Sequence, residues 1–346
     1  MYLSMVRMHQ NPYPALRNRR FTVPMRRALV LLAVVAAIAG TQNAVAATPK
    51  APSPTKGVVI VNTDLGLENA SAAGTGIVLT KDGQILTNNH VIAGATTIRV
   101  TVPATHRTYT ADVLGYDVTD DIALLKLERA SSLATATVGN SSRLKVGQPA
   151  RAVGNANGAG KLVITKGKVV ALNRTISVQQ EDGTFSKLAN LVATTAKLVP
   201  GDSGGPLIDA AGKVIGVDAA GSANGSSAVG FAIAINKAVS ISRQIAASKA
   251  SPLVHIGATA FMGVQAQDGP TGVLVGGVIP GSPAEAAGLQ AGDVITSIDG
   301  TTIANSAGLR ALLFGHHPGD SITIAYTDTA GASQTTTVTL ADGPPV

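Results

Sequence analysis

The sequence of 346 residues contains no cysteine and no tryptophan, and only 3% of its residues are aromatic. Without cysteine the chain cannot form a disulfide, use a thiol nucleophile or carry a lipid on a cysteine side chain. Hydrophobic residues nevertheless make up 45% of the sequence, so its cores must be built from aliphatic side chains. The abundance of Val, Ile, Thr and Gly favours strands and turns over helices.

Acidic residues are absent from positions 1–47, which contain six arginines. Outside this segment the formal net charge falls from +7 to +1, which gives no basis for nucleic-acid binding. Arg26 and Arg27 precede an apolar run that is shorter than the roughly 20 residues needed to span a bilayer. Small residues follow at positions 44–46, as at a cleavage site. We predict a signal peptide over residues 1–47 and a secreted or cell-envelope protein; an uncleaved membrane anchor is the alternative.

Changes in composition divide the rest of the chain into four parts. Residues 48–57 form a Pro-rich tether, and residues 58–249 contain many short β-rich segments separated by Gly-rich turns. Such a pattern is typical of antiparallel barrels or sandwiches. Residues 250–260 are predicted to be a linker. Residues 261–346 then form a second β-rich domain, in which SPAE at 282–285 is a helix capping box.

The motif PGDSGGP at residues 200–206 carries a candidate nucleophile. A serine hydroxyl attacks a carbonyl group only when a base removes its proton and N–H groups stabilise the developing oxyanion. Gly201 permits a turn in which the N–H groups of Gly201 and Ser203 converge. We therefore predict Ser203 as the nucleophile and these two N–H groups as the oxyanion hole. An ordinary Gly-rich turn is the alternative.

Two further motifs supply a base and an acid. TNNHVI at 87–92 places His90 at the end of an apolar strand, and DDIALLKL at 120–127 places Asp121 at the start of another. A lone histidine is more often structural, but a buried aspartate needs a partner, and an imidazole N–H satisfies it. Asp120 is the competing acid; strand alternation directs it to solvent. The order His, Asp, Ser is that of chymotrypsin-type barrels.

These three motifs, together with GFAIAIN at 230–236, resemble those of the HtrA (DegP-like) serine proteases. The resemblance extends from about Val58 to the end of the sequence and is closest to the secreted PepA-type members. It implies a mainly β protein: a chymotrypsin-like double antiparallel β-barrel followed by an α+β PDZ domain. It also implies a serine endopeptidase that cleaves unfolded or flexible polypeptides in protein quality control or processing, with no cofactor and no metal.

The segment FMGV at 261–264 resembles the carboxylate-binding loop of PDZ domains. In such loops backbone N–H groups hold a peptide C-terminus, and the peptide adds as a strand beside a helix. A β-rich domain that binds nothing is the alternative. The predicted peptide-binding residues are Phe261, Met262, Gly263 and Val264 in the loop, with Leu309, Leu312 and Leu313 on the helix.

The specificity pocket is predicted from the residue six positions before Ser203. Trypsin-like enzymes carry an acid there, whereas this chain has Lys197, so tryptic specificity is not expected. The resemblance implies a shallow apolar pocket lined by residues such as Leu198 and Val217. We predict cleavage after Val, Ala and Leu; if Lys197 points into the pocket, acidic residues are preferred instead.

Some features depart from the family pattern or add nothing to it. No aromatic residue lies between positions 48 and 73, which puts aromatic-mediated trimerisation in doubt and leaves the oligomeric state open. Asp202 precedes the serine, and the sequence does not identify its partner. His316 and His317 are expected in a polar loop, not at a metal site. The rival functions are a chaperone-like protein that holds chains without cutting them and an acyl hydrolase of another fold.

Overall fold

The computed structural model describes residues 53–179, 185–222 and 229–346. The signal peptide predicted for residues 1–47, and the first half of the predicted tether, lie outside this range. Within the described residues, no helix is both long enough and apolar enough to cross a membrane.

The first barrel is a closed, six-stranded antiparallel sheet. Its strands run in the order β5-β4-β1-β2-β3-β6, and β6 pairs back with β5. The one-turn helix α1 (Asn89–Ile92) follows β3. The strands are β1 (Val58–Leu65), β2 (Ala70–Val78), β3 (Gln84–Thr87), β4 (Thr97–Val102), β5 (Arg107–Asp117) and β6 (Ile122–Leu127).

The second barrel has the same plan. Its strands run in the order β11-β8-β9-β10-β13-β12, β12 closes on β11, and a short strand β7 adds parallel to β12. The helix α2 (Ile235–Ala246) follows the last strand. The strands are β7 (Thr137–Val138), β8 (Pro149–Gly154), β9 (Val163–Gln179), β10 (Phe185–Thr194), β11 (Pro206–Ile208), β12 (Lys213–Ser222) and β13 (Val229–Ala234).

Alternation along the first-barrel strands divides their aliphatic side chains between two cores. Leu125 on β6 belongs to the interior of the first barrel, whereas its neighbour Leu124 belongs to a core shared with the second barrel. Val217 and Ile233 contribute to that shared core from the second barrel. Burying each such side chain stabilises the fold by about 1.5–3 kcal/mol. The shared core thus fixes one barrel against the other, as the predicted double-barrel fold requires.

A smaller α+β domain completes the described chain. Its sheet runs in the order β16-β17-β18-β20-β21, with β16 at one edge and β19 added to β18. Helices α3 (Pro283–Ala286) and α4 (Ser306–Leu313) cover a core of its own. The strands are β16 (Val264–Asp268), β17 (Val273–Val278), β18 (Val294–Ile298), β19 (Thr301–Thr302), β20 (Ser321–Thr327) and β21 (Ser333–Thr339). The predicted fold class is confirmed.

The connection between the domains is more structured than the sequence suggested. Within residues 250–260, which we predicted as a linker, β14 (Val254–Ile256) pairs with β5 of the first barrel. The next strand, β15 (Thr259–Phe261), pairs with β22 (Ala341–Gly343) from the end of the chain. This segment therefore extends the barrel sheet before it enters the smaller domain.

An aromatic cluster joins the two domains. His255 on β14 is buried, and its ring centroid lies 5.1 Å from that of Tyr116 and 5.1 Å from that of Phe314. The imidazole Nδ1 lies 3.2 Å from the carbonyl oxygen of Phe314. Because Phe314 directly follows α4, the cluster places the end of this helix against the first barrel.

Candidate active site

His90 lies on α1, one residue into the helical turn that follows β3, and not on the strand itself. Its Nδ1 lies 2.8 Å from Oδ2 and 3.0 Å from Oδ1 of Asp121. The main-chain N–H of His90 donates a third hydrogen bond to Asp121 Oδ1, at 3.0 Å. The side chain of His90 is 46% exposed and that of Asp121 only 9%. Asp121 therefore binds the Nδ1 side of the imidazole, and nearly half of the His90 side chain stays exposed to solvent.

Asp121 is itself held in an unusual backbone conformation. Its φ is +52°, in the left-handed region that non-glycine residues seldom adopt. The side-chain amide of Asn88 donates to the carbonyl oxygen of Asp121 at 2.8 Å and stabilises this turn. The neighbouring Asp120 points elsewhere and forms an ion pair with Lys237 on α2. Of the two candidate acids, the structure brings Asp121 to His90.

The environment of His90 suits a base that becomes charged during a reaction. Burial by itself lowers the pKa of His90, but the charge of Asp121 and its hydrogen bond outweigh burial and raise that pKa above its usual value. An imidazolium that forms at this position is therefore stabilised by Asp121.

The loop of residues 199–205 carries Ser203 between β10 and β11. Thr75 on β2 anchors it twice: the N–H of Thr75 donates to the carbonyl oxygen of Ser203 at 2.8 Å, and its Oγ1 donates to that of Gly201 at 2.7 Å. Gly201 has φ +92°, and a side chain there would overlap the carbonyl oxygen of Asn155. The loop conformation thus needs glycine at this position.

Two N–H groups of this loop remain unengaged. The N–H groups of Asp202 and Gly204 donate to the carbonyl oxygens of Val199 and Asp218, at 3.1 and 2.8 Å. Within the described part of the chain, those of Gly201 and Ser203 donate to no protein acceptor. These are the two groups that the sequence predicted as the oxyanion hole, and both remain available to an incoming oxygen atom.

The hydroxyl group of Ser203 has one contact among the described residues, and it is not with His90. Its Oγ lies 3.4 Å from the carbonyl oxygen of Ala219, a long contact, and makes no hydrogen bond to the imidazole among the described residues. Catalytic hydrogen bonds are often long or misaligned in proteins without substrate. The hydrogen bond between Ser203 and His90 therefore has to form before the proton is transferred.

The three residues predicted for the specificity pocket lie in different environments. Lys197 is exposed and Leu198 is half-buried, whereas Val217 is wholly buried in the core shared by the barrels. Val217 therefore exposes no surface to a substrate. Leu198 lies against Gly221 and Gly230, where a Cβ atom would come within 2.7 Å of Leu198 atoms. The motifs in the sequence did not single out these two glycines.

The predicted peptide-binding loop opens at the edge strand β16. Gly263 has φ +91°. The carbonyl oxygen of Met262 accepts a hydrogen bond from the N–H of Ala284, and that of Gly263 accepts one from the N–H of Ile279, both at 2.9 Å. The N–H groups of Met262 and Gly263 have no acceptor in the described residues. Helix α4 packs beside β16 and buries Leu309 completely, while Leu312 and Leu313 remain half-exposed.

One contact beside His90 has no signal in the sequence. The side-chain amide of Asn89 donates to the main-chain oxygen of Val346 at 2.8 Å, and the N–H of Gly94 donates to that of Pro345 at 2.7 Å. These residues are separated by about 250 positions, so only the folded chain brings them together. The last described residues thus bind both ends of the turn that carries His90.

The fold and the site define a trypsin-like serine protease with a second, α+β domain, and comparison with known families agrees. Residues 74–217 match the model of the trypsin-like peptidase domain, and residues 260–340 match that of the PDZ domain. The Serine protease Do-like HtrA of Lactococcus lactis is 33% identical over 277 residues, which cover 74% of this chain and 67% of that protein. The chain belongs to the HtrA family of serine proteases.

Two further relatives show the same pattern. Serine protease PepD of Mycobacterium tuberculosis is 35% identical over 82% of this chain, and Protease Do-like 1 of Arabidopsis thaliana is 35% identical over 75%. The chain spans 63% and 61% of the length of these two relatives. A solved HtrA-type protease, AlgW with a tripeptide, is 28% identical, with a TM-score of 0.49 over 84% of this chain and 95% of that one.

Proposed function

We propose that this protein is an exported serine endopeptidase in which Ser203 is the nucleophile, His90 the general base and Asp121 the residue that orients His90. The observation that carries the proposal is that Asp121 makes three hydrogen-bond contacts with His90. In support, the N–H groups of Gly201 and Ser203 in the serine loop have no acceptor among the described residues. Family membership supports the same reaction, which is hydrolysis of a peptide bond.

The first half of the reaction forms an acyl-enzyme. Ser203 Oγ turns to the imidazole, passes its proton to Nε2 of His90 and bonds to the substrate carbonyl carbon. The carbonyl oxygen takes the electron pair of its π bond and accepts hydrogen bonds from the N–H groups of Gly201 and Ser203. His90, now an imidazolium held by Asp121, returns the proton to the leaving amine nitrogen as the C–N bond breaks.

The second half repeats these steps with water. His90 removes a proton from a water molecule, the oxygen of that water attacks the acyl carbon, and the same two N–H groups stabilise the second oxyanion. The proton on Nε2 then passes to Ser203 Oγ as the ester bond breaks, which frees the carboxylic acid. No cofactor or metal takes part in this scheme.

The substrates of this site are flexible polypeptides, and small aliphatic side chains fit it best. Leu198 narrows the space over Gly221 and Gly230, and the position six residues before Ser203 holds Lys197 in place of an acid that could pair with a basic side chain. Desolvating an unpaired charge there would cost several kcal/mol. Mapping the cuts in denatured casein by mass spectrometry should show Val, Ala and Leu before most of them. A majority after Asp and Glu would mean that Lys197 enters the pocket, and a majority after Arg and Lys would exclude an apolar pocket.

We assign the PDZ domain the binding of peptide C-termini. The unengaged N–H groups of Met262 and Gly263 suit a carboxylate, and the open edge of β16 suits strand addition. Leu312 and Leu313 on α4 offer apolar surface to the last side chain of such a peptide. This domain therefore supplies a second contact for polypeptides that the protease site cuts.

Location in the cell envelope or outside the cell follows from the N-terminal sequence. Relatives from Hahella chejuensis and Haemophilus influenzae carry the names "Probable periplasmic serine endoprotease DegP-like" and "Probable periplasmic serine protease do/HhoA-like". N-terminal sequencing of the exported protein should begin near Ala47 or Thr48. Retention of residues 28–40 would favour a membrane anchor instead.

Labelling with an organofluorophosphonate probe tests the nucleophile. This reagent modifies serine hydroxyl groups that a neighbouring base activates. The wild-type protein should be labelled at Ser203, and His90→Ala should lose the label although its serine remains. Equal labelling of both proteins would show that His90 does not activate Ser203, and a protein that holds chains without cutting them would become the better explanation.

A further inference from the structure

Asp218 on β12 is a wholly buried acid that the reaction scheme does not use. Its exposure is 0%, and neither oxygen of its carboxyl group has a hydrogen-bond partner among the described residues. In contrast, both the N–H and the carbonyl oxygen of the Asp218 main chain form hydrogen bonds with the serine loop. Its N–H donates to the carbonyl oxygen of Gly205 and its carbonyl oxygen accepts from Gly204, both at 2.8 Å. Asp218 therefore holds the two residues that follow Ser203.

The charge that acts on this carboxyl group comes from another carboxyl group. Asp202, which precedes Ser203, is also buried, and its Oδ2 accepts a hydrogen bond from the N–H of Val199 at 3.0 Å. Two carboxylates in neighbouring buried positions cannot both be ionised without a large energetic cost. Asp202 has a hydrogen-bond donor to stabilise its negative charge, and Asp218 has none. Of the two, Asp218 is the one that stays neutral.

Among the described residues, no cation acts on the carboxyl group of Asp218. The strands on either side of it, β11 and β13, carry no titratable residue, and Asp202 is the titratable residue of the loop. Helix α2 also packs against β12, but its Lys237 is bound to Asp120 and its Arg243 is exposed to solvent. Burial, reinforced by the negative charge of Asp202, raises the pKa of Asp218 well above that of an ordinary aspartate.

We propose that Asp218 is a positioning residue for Ser203 that works in its protonated, uncharged form. The proposal rests on the proposed function, since the loop it supports is the serine loop. When Asp218 loses its proton, either the charged side chain has to move to solvent or water has to enter the protein around it. Either movement breaks the main-chain bonds that Asp218 makes to Gly204 and Gly205. The N–H groups of the oxyanion hole then lose their alignment, and activity falls as the pH rises.

Infrared difference spectroscopy tests the protonation state without any need for activity. At neutral pH the wild-type protein should show the carbonyl-stretch band of a protonated carboxyl group, and Asp218→Asn should lack it. Asp112→Asn is the matched control, because Asp112 is exposed on β5, and it should keep the band. A band missing from the wild type, or retained in Asp218→Asn, would overturn the proposal.

The dependence of kcat/KM on pH tests the positioning role. Above the pH at which Asp218 ionises, the kcat/KM of wild type and of Asp112→Asn should fall about tenfold per pH unit. Asp218→Asn should stay level over that range, and Asp218→Leu should do the same if the asparagine variant does not fold. An unchanged alkaline decline in the folded variants would refute the positioning role. A wild type that is inactive at every pH, yet shows the infrared band, would instead contradict the proposed function.

Discussion

Replacement of Asp121 by asparagine tests the arrangement of the active site in most detail. Asp121 accepts hydrogen bonds from both the ring and the main chain of His90, and its carboxylate is almost wholly buried. An asparagine side chain has the same shape as aspartate but carries a neutral amide. This amide stabilises neither the tautomer of His90 that the reaction requires nor the imidazolium that forms on His90. Such a change typically costs about 10⁴-fold in kcat. This loss corresponds to about 5 kcal/mol of transition-state stabilisation.

The assay is the hydrolysis of a fluorogenic peptide across a range of pH. Because Asp121 raises the pKa of His90 against the effect of burial, Asp121→Asn should lower that pKa. The acid limb of the residual activity should therefore move to lower pH. Asp120→Asn is the matched control, since its partly exposed ion pair with Lys237 is worth at most about 1 kcal/mol. If Asp120→Asn lost activity and Asp121→Asn kept it, our assignment of the acid would be wrong.

Two further predictions concern the peptide-binding domain and the core. In calorimetry, a peptide with a free C-terminal carboxylate should bind the protein, whereas the same peptide with a C-terminal amide should not. Gly263→Ala should abolish binding of the free peptide, because the new Cβ atom would overlap Ser282. Equal affinity for both peptides would exclude carboxylate capture. Leu124→Ala should lower the free energy of unfolding by about 2–5 kcal/mol in denaturant titrations, whereas the exposed Leu253→Ala should change it by less than about 0.5 kcal/mol. Similar losses in both would contradict the shared core.

Local signals explain what the sequence predicted well. Short alternating segments and glycine turns predicted an antiparallel barrel or sandwich, the family resemblance implied the double barrel, and the fold class was confirmed. Each of the three catalytic candidates lies in a short motif that can be recognised from a few neighbouring residues. The conformation of Gly201, for example, follows from the turn that its own motif requires. Features of this kind need no knowledge of which strands become neighbours.

Features that depend on distant pairing escaped prediction. The proximity of Asp218 to Asp202 arises only when β12 closes on β11, and the contact between Asn89 and Val346 joins residues 257 positions apart. The three residues of β14 form too short a pattern to distinguish a strand from a linker. Val217 shows a related limit. The family resemblance suggested that Val217 forms a pocket wall, whereas the shared core buries it.

Digestion of denatured casein by purified wild type and Ser203→Ala tests the central claim most directly. The serine variant retains every main-chain contact of its loop, so it should remain folded and keep its peptide-binding domain. It should lose cleavage by about 10⁴-fold or more, because the covalent step disappears. The account predicts rapid digestion by wild type and none measurable by the variant. Substantial turnover by folded Ser203→Ala would contradict the mechanism.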